Sequence, residues 1–329
     1  MTKQKKICFA VVITMMLCII GIFVLVLQKG KKYAFSYLET STYLPLIQGE
    51  LLELTENGAV FRYCNNGAKE ILLESSDIIS QSVVYNQGNV FILSVHKDGS
   101  LKVCEGFSFD EWEIVRIEGM IKADLCAWGL MVLTEEGTVY EYEDRDLFIK
   151  LFGEKAIEIS LQKNEELPKC TDICSSDYNR VVLTEDGEVY VKGRLAANEY
   201  AEYKKIECPS RVSTVYNSGN TLLALSDSGV LYEAGMEIYK ASLYIFDKFE
   251  IISEYEDVVQ MDGSGNKVVL FEQDSDVFYF GETTKGKACG VSWKGQISHK
   301  ADVRKVLMRG SYIYILGQDY LEVREASLS

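Results

Sequence analysis

Two histidines, His96 and His299, stand in the whole chain, and they limit the acid–base chemistry it can support. His96 falls in the turn "SVHKDG" and His299 in the loop "QISHK", neither within a pattern that would join it to a nucleophile and an orienting carboxylate. No Gly-x-Ser-x-Gly elbow, phosphate-binding glycine loop with lysine, or His-Glu-x-x-His zinc pattern occurs. Cys170 and Cys174, in "CTDIC", form a close thiol pair but lack the further ligands of a structural zinc site. "DGSGN", residues 262–266, has the residue types of a calcium loop, with Asp274 and Asp276 one hairpin away. It lacks the spaced carboxylates and closing glutamate, and reads as a strand-connecting turn. No catalytic residue, cofactor site or metal ligand is therefore assigned, and the expectation is a protein that is not an enzyme.

The elements that position these residues form a repeat. "LLELTENGAVFRY" at 51 recurs as "FILSVHKDGSLKV" at 91, "MVLTEEGTVYEYE" at 131, "VVLTEDGEVYVKG" at 181, "LLALSDSGVLYEAG" at 222, "VLFEQDSDVFYFG" at 269 and "IYILGQDYLEVRE" at 313. Each copy is an apolar strand, a tight turn and an alternating strand, as Val189 and Val191 alternate with Glu188, Tyr190 and Lys192. Gly58, Gly99, Gly137, Gly187 and Gly229 supply the positive φ of the turn, and Ser275 and Tyr320 stand there in the last two copies. These predict hairpins over 51–64, 91–104, 131–143, 181–193, 222–235, 269–281 and 313–324.

An apolar segment precedes most hairpins ("SVVYNQGN" at 82, "STVYNSGN" at 213) and another follows ("KEILLE" at 69, "EWEIVRIEG" at 111). Four strands in about 40 to 50 residues, repeated without helical periodicity, mark a β-propeller blade. The expected fold is all-β, a seven-bladed β-propeller over 33–329. After the last hairpin only "ASLS" remains, so "YAFSYL" at 33–38 is expected to supply the outer strand of blade 7 and close the ring. Three stretches read as long connections, from 144, 236 and 282, and binding is expected on such loops.

Residues 7–27 form an uncharged run of 21. As helix it is about 31 Å long against a hydrocarbon core of about 30 Å. It is too long for a signal-peptide core and is followed by no small-residue cleavage site. A single N-terminal transmembrane helix over 7–28, a signal anchor, is thus expected, with 1–6 as a short basic cytoplasmic tail. Lys3, Lys5 and Lys6 precede the span and Lys29, Lys31 and Lys32 follow it, so flanking charge barely chooses a direction. Long C-terminal domains translocate largely regardless of such charge, which favours an extracytoplasmic propeller on a single-pass cell-membrane anchor.

The first 32 residues hold six lysines and no acid, so the other 297 carry 28 basic against 49 acidic residues, a net of −21. Such a domain is repelled by phosphate backbones, which excludes nucleic acid as a partner. Seven cysteines lie outside the apolar run at irregular spacing and read as small buried or strand residues. Trp112, Trp128 and Trp293 are the aromatic residues considered as partner contacts.

"NRVVLTEDGEVYVKG" and "NTLLALSDSGVLYEAG" resemble the blades of the regulator of chromosome condensation family, whose pattern approximates hTxALTxDGxVYxWG. The resemblance extends over nearly all of 40–325. It departs where the family's histidine is Asn89, Asn179, Asn220 and Asn266, and where its Trp-Gly is Lys192-Gly193, Ala234-Gly235 and Phe280-Gly281. The Gly-Gln-x-Gly motif is absent, so the chain is similar to a degenerate, bacterial, membrane-anchored member. The resemblance implies a propeller used as a protein-binding platform. Its founder's nucleotide-exchange and chromatin roles do not suit an anchored acidic domain, and secreted bacterial relatives, one of them a β-lactamase inhibitor, are nearer in setting. The function expected is non-catalytic binding of a protein or cell-surface ligand. The alternatives are a propeller-type lyase or glycosidase with an axial site, or a structural envelope component.

Overall fold

The structure, a computed structural model, describes residues 30–325 except 87–88, 127–128, 145, 148–149, 152–158, 237–244, 254, 256, 275, 284–290 and 299–301. The predicted tail and transmembrane helix, 1–6 and 7–28, lie outside the described residues. Among the described residues no helix is long and apolar enough to cross a membrane.

Twenty-eight strands of the described residues form seven four-stranded antiparallel sheets. Six sheets use consecutive strands, over 42–73, 78–116, 120–163, 170–206, 212–251 and 258–298, and are blades 1 to 6. Blade 7 takes Val303–Arg309, Tyr312–Gly317 and Tyr320–Glu325 from one end of the chain and Lys31–Ala34 from the other. The innermost strands touch in ring order, with blade 7 against blade 1, so the circle is closed.

The closing strand starts at Lys31, two residues before the predicted segment, and leaves the ladder after Ala34. Phe35 ends the pairing because its ring turns inward between Tyr43 and Tyr63, at centroid distances of 5.6 and 5.0 Å. The backbone still holds on, with Tyr37 N–H donating to Gln318 O at 2.9 Å. The three predicted long connections are corrected in part. They contain Gln162–Lys163, Ile245–Ile251 and Val291–Ser298, the outer strands of blades 3, 5 and 6. An outermost strand is wetted on one edge and much of both faces, so it lacks the apolar alternation that betrays a strand; Ile245–Ile251 has one buried residue in seven.

The core lies between blades. Phe91 and Leu93 of blade 2 meet Ala123, Leu125, Leu130 and Val132 of blade 3, and the pattern recurs around the ring. Each fully buried Leu or Val contributes about 1.5–3 kcal/mol, so each interface is itself a hydrophobic core. In every blade the second and third strands join at the same end of the ring at which the fourth strand passes to the next blade. This end is called the turn face below. The pairing Lys31↔Val323 and Ala34↔Tyr320 sets Ala34 at the turn face and Lys31 toward the other end. The described chain therefore begins, at Gly30 and Lys31, at the end of the ring opposite the turns.

Candidate functional site

Six of the seven innermost strands carry a β-bulge at one structural position. The register skips one residue between Ile78 and Ser80, Met120 and Lys122, Cys170 and Asp172, Val212 and Thr214, Val258 and Gln260, and Val303 and Lys305. A bulge re-aims the extra side chain. Here the extra residues, Ile79, Ile121, Thr171, Ser213, Val259 and Arg304, are all exposed. Because every inner strand begins at the turn face, they ring the axis there. The Thr171 and Ser213 hydroxyls donate to Leu183 O and Leu225 O of their own blades at 3.3 and 3.0 Å. Ile79, Ile121 and Val259 have no such use, and are 38%, 39% and 56% exposed. A sequence signal existed: consecutive apolar residues such as Ile78-Ile79 and Met120-Ile121 break the alternation at the start of a strand.

Around this ring the turn face is acidic. The seven turns, 55–58, 96–99, 134–137, 184–187, 226–229, 272–275 and 317–320, join the connections between blades at this end. Their described residues hold nineteen acids against Lys97, Lys169 and Arg211. The face thus carries most of the −21 of residues 33–329. In all seven turns the two middle residues are exposed. Three cations near the rim are already paired, as Arg116–Asp98 at 2.9 Å, Lys169–Glu185 at 3.3 Å and Arg211–Asp227 at 2.8 Å.

The five turn glycines have φ between 76° and 80° or close to it, 75° at Gly187. They also latch the blades together. Gly99 O accepts from Ile117 N–H at 2.9 Å on the connection to blade 3, and Gly137 O from Cys170 N–H at 2.8 Å and Gly187 O from Val212 N–H at 3.1 Å, each at the start of the next blade's first strand. Gly58 and Gly229 are used in the same way, by Ser76 Oγ and Val258 N–H. Asn179, at the position of the family's histidine, links blades at the opposite face by donating to Gly219 O at 2.6 Å.

The polar groups of the inner strands also join blades. An innermost strand has an unpaired edge whose N–H groups need acceptors. Asp124 of blade 3 accepts from Ser175 N–H at 2.6 Å and Ser175 Oγ at 2.9 Å in blade 4. Asp262 of blade 6 accepts from Met308 N–H of blade 7 at 2.8 Å, and Gln260 pairs with both backbone groups of Val306. Lys122 Nζ meets Asp172 Oδ1 at 2.5 Å. Arg309 reaches from blade 7 to blade 2, lying 4.7 Å over the Tyr85 ring and donating to Val83 O at 3.3 Å. Tyr216 OH donates to Gly265 O at 2.7 Å. Burial pushes the Cys174 thiol up, which makes it a poor nucleophile at neutral pH.

Burial also raises the Asp124 carboxyl, against the charge of Lys122 and the Ser175 donors. For Asp262 desolvation outweighs the bonds from Met308 and Gly263 and the charges of Lys305 and Arg309, and its pKa rises to about 6. Lys305 in turn is lowered by burial, against the pull of Asp262. A carboxyl whose folded pKa exceeds its unfolded value holds its proton more tightly in the native state. Its contribution to stability is greatest below about pH 4 and is lost as pH rises through about 6. Asp262→Asn should therefore unfold like the parent near pH 4 and be more stable by about 1–3 kcal/mol at pH 7, read from denaturant titrations at both pH values.

Other sequence-predicted residues fall elsewhere. His96 is buried at the end of the second strand of blade 2. Its Nδ1 lies 2.6 Å from Asp77 Oδ1, and its Nε2 lies 3.0 Å from Glu111 Oε2 without the alignment of a hydrogen bond. It ties a turn to two connections and faces no nucleophile. His299, Trp128 and Cys289 lie outside the described residues. Trp112 opens the outer strand of blade 2 and packs, half-buried, on the cluster between blades 2 and 3. Trp293 pairs through its backbone with Gly281 in blade 6. Residues 262–266 end one strand and form its turn, and among the described residues no cluster of three His, Cys, Asp or Glu could hold a metal.

Sequence reasoning also missed a polar cleft of 530 Å³ beside blades 3 and 4, lined by Glu141, Glu143, Gln162, Asn164 and Lys192. At its wall Arg180, 4% exposed, donates to Glu141 and Glu143 at 3.0 Å, and Tyr203 donates to Glu141 at 2.9 Å. Lys192 pairs with Glu143 at 2.8 Å. Arg180 and Lys192 are thus met by the cleft's own carboxylates, and Lys163, which also lines it, pairs with Glu165 at 2.9 Å.

No protein-family model matches the chain, and no curated protein matches it. It is similar in structure to Prp20p from Saccharomyces cerevisiae, reported with its binding to Gsp1p and histones: 13% identity, 85% of this chain and 81% of that one, TM-score 0.56. Human WBSCR16 is similar at 15% identity over 76% of each chain, TM-score 0.57. The Cps50 (Swd1) β-propeller domain of Myceliophteria thermophila is similar at 12% identity, over 89% of this chain and 98% of that one, TM-score 0.57. Prp20 is the yeast RCC1, also solved with Kap60 bound to it. These likenesses establish the fold, a β-propeller of the kind that includes yeast RCC1.

Proposed function

We propose that this chain is a non-catalytic binding propeller, held by its N-terminal apolar segment at the outer side of a bacterial cell membrane, and that it meets a protein or surface ligand through its turn face. One observation carries the reading. The closing strand begins at the end of the ring opposite the turns, and in the sequence only residues 28–30 separate it from the apolar run. At no more than about 3.3–3.6 Å per residue, three residues reach at most roughly 10 Å, so a span at 7–27 would hold the ring with the bulge positions and the acidic turns facing away from the bilayer. The propeller fold supports the same reading, since similar propellers such as Prp20p are reported binding other proteins.

A second reading, an enzyme with an axial site, draws on the gathering of Asp124, Asp172, Asp262, Tyr216 and Arg309 on the inner strands. The partners found for these groups are other blades, which favours the non-catalytic role. The test is a photo-crosslinking residue at position 121 of the full chain in its native envelope. It should capture a protein, and the same residue at position 66, an exposed turn at the opposite end, should not.

A further inference from the structure

The bulge ring and the acidic turns together describe a partner, given the reading that the turn face is the binding face. Three of the nine exposed large hydrophobics of the described residues, Ile79, Ile121 and Val259, occupy one structural position in three blades. Scattered surface apolar groups need no explanation, whereas these recur at one position around the axis, Ile79 and Ile121 in adjacent blades and Val259 in blade 6, and offer apolar footholds at the centre of the face. Among the described residues the rim of that patch holds nineteen acids against three bases, and Lys169 and Arg211 are already bound to Glu185 and Asp227. An apolar centre within a charged rim is the anatomy of a protein interface, and a rim of one sign selects a partner of the other. Anionic lipid and nucleic acid are repelled by the same field.

We infer that the turn face receives a lysine- or arginine-rich segment of a partner protein that seats apolar side chains on the ring formed by Ile79, Ile121 and Val259. The basic groups would meet the exposed middle residues of the turns, among them Glu135, Glu136 and Asp186. Arg304, the bulge residue of blade 7, is the one cation on the ring itself, so the acidic contacts concentrate on the turns of blades 2 to 6.

The test uses the purified full chain in detergent and three fluorescein-labelled dodecapeptides: alternating lysine and leucine, all lysine, and alternating glutamate and leucine. By anisotropy the lysine–leucine peptide should bind at micromolar Kd and about tenfold more tightly than oligolysine, and the glutamate peptide should not bind. Raising salt from about 50 to about 300 mM should weaken binding about tenfold. Ile79→Ser, Ile121→Ser and Val259→Ser combined should melt with the parent, because all three are exposed, and should reduce the lysine–leucine peptide to the level of oligolysine. Glu136→Lys with Asp186→Lys should weaken both basic peptides about tenfold, and Asn66→Lys at the opposite end should change neither. Unchanged lysine–leucine binding in the triple serine variant, equal binding of the glutamate peptide, or no binding of any peptide at about 100 μM would each overturn the inference. Crosslinks from position 121 together with failure of the basic peptides would leave the binding platform standing and remove only its basic partner. Failure of both would remove the platform as well.

Discussion

Deleting residues 33–39 should lower the melting temperature of the propeller by more than about 10 °C, measured by circular dichroism or scanning fluorimetry. The segment removes half of the only strand that blade 7 takes from the N-terminal end, so the Tyr320–Glu325 strand becomes an open edge. It also withdraws Phe35, 8% exposed and packed on Tyr43 and Tyr63, together with Tyr37, which stacks on Tyr43 at 5.4 Å. Removal of one buried Phe side chain costs about 3–5 kcal/mol before any ladder bond is counted. For a domain of this size each kcal/mol is worth roughly 2–4 °C, so the contacts of Phe35 alone account for most of the expected fall. An unchanged transition would mean that the ring does not depend on its N-terminal strand.

The second large effect is Gly99→Ala, expected to cost about 3 kcal/mol or more, with Gly106→Ala costing only about 1. Both glycines have positive φ, 76° and 67°, so the backbone strain of an alanine is shared. What differs is space. A Cβ on Gly99 would stand 2.2 Å from Ile117 O and 2.9 Å from Ile117 C, both backbone, whereas one on Gly106 meets nothing within 4 Å. Relief at Gly99 requires the connection into blade 3 to move off the turn and break the Ile117 N–H bond to Gly99 O. Gly187 has the same arrangement, with Arg211 Cγ at 2.3 Å and Val212 O at 2.8 Å. Equal denaturant midpoints for Gly99→Ala and Gly106→Ala would show that the turns are only turns and do not latch the blades.

The hairpins were legible because each combines two local signals, a turn glycine and an alternating third strand, within about a dozen residues. Their spacing then yielded the seven blades and the closing strand. The outer strand 245–251 was not legible, since a strand that buries little on either face shows no period. Of the turn glycines the sequence conveyed the positive φ, while the near contact with the next blade depends on a residue 18 positions on, as Gly99 with Ile117. The same holds for Asp124 and Ser175, 51 residues apart, and for the bulges, which exist only relative to a partner strand. Attention to the long connections pointed toward the end of the ring at which the tether attaches. The register of Lys31–Ala34 on Tyr320–Glu325 supports the other end, where a turn geometry repeated from blade to blade, and not loop length, sets the surface.

The comparison of two positions in the native envelope tests that account most directly. With a photo-crosslinking residue at 121, on the bulge ring, and separately at 66, on the opposite end, the yield of a discrete crosslinked protein should be high from 121 and near background from 66. A discrete product from 66 with none from 121 would contradict the assignment of the turn face as the binding surface.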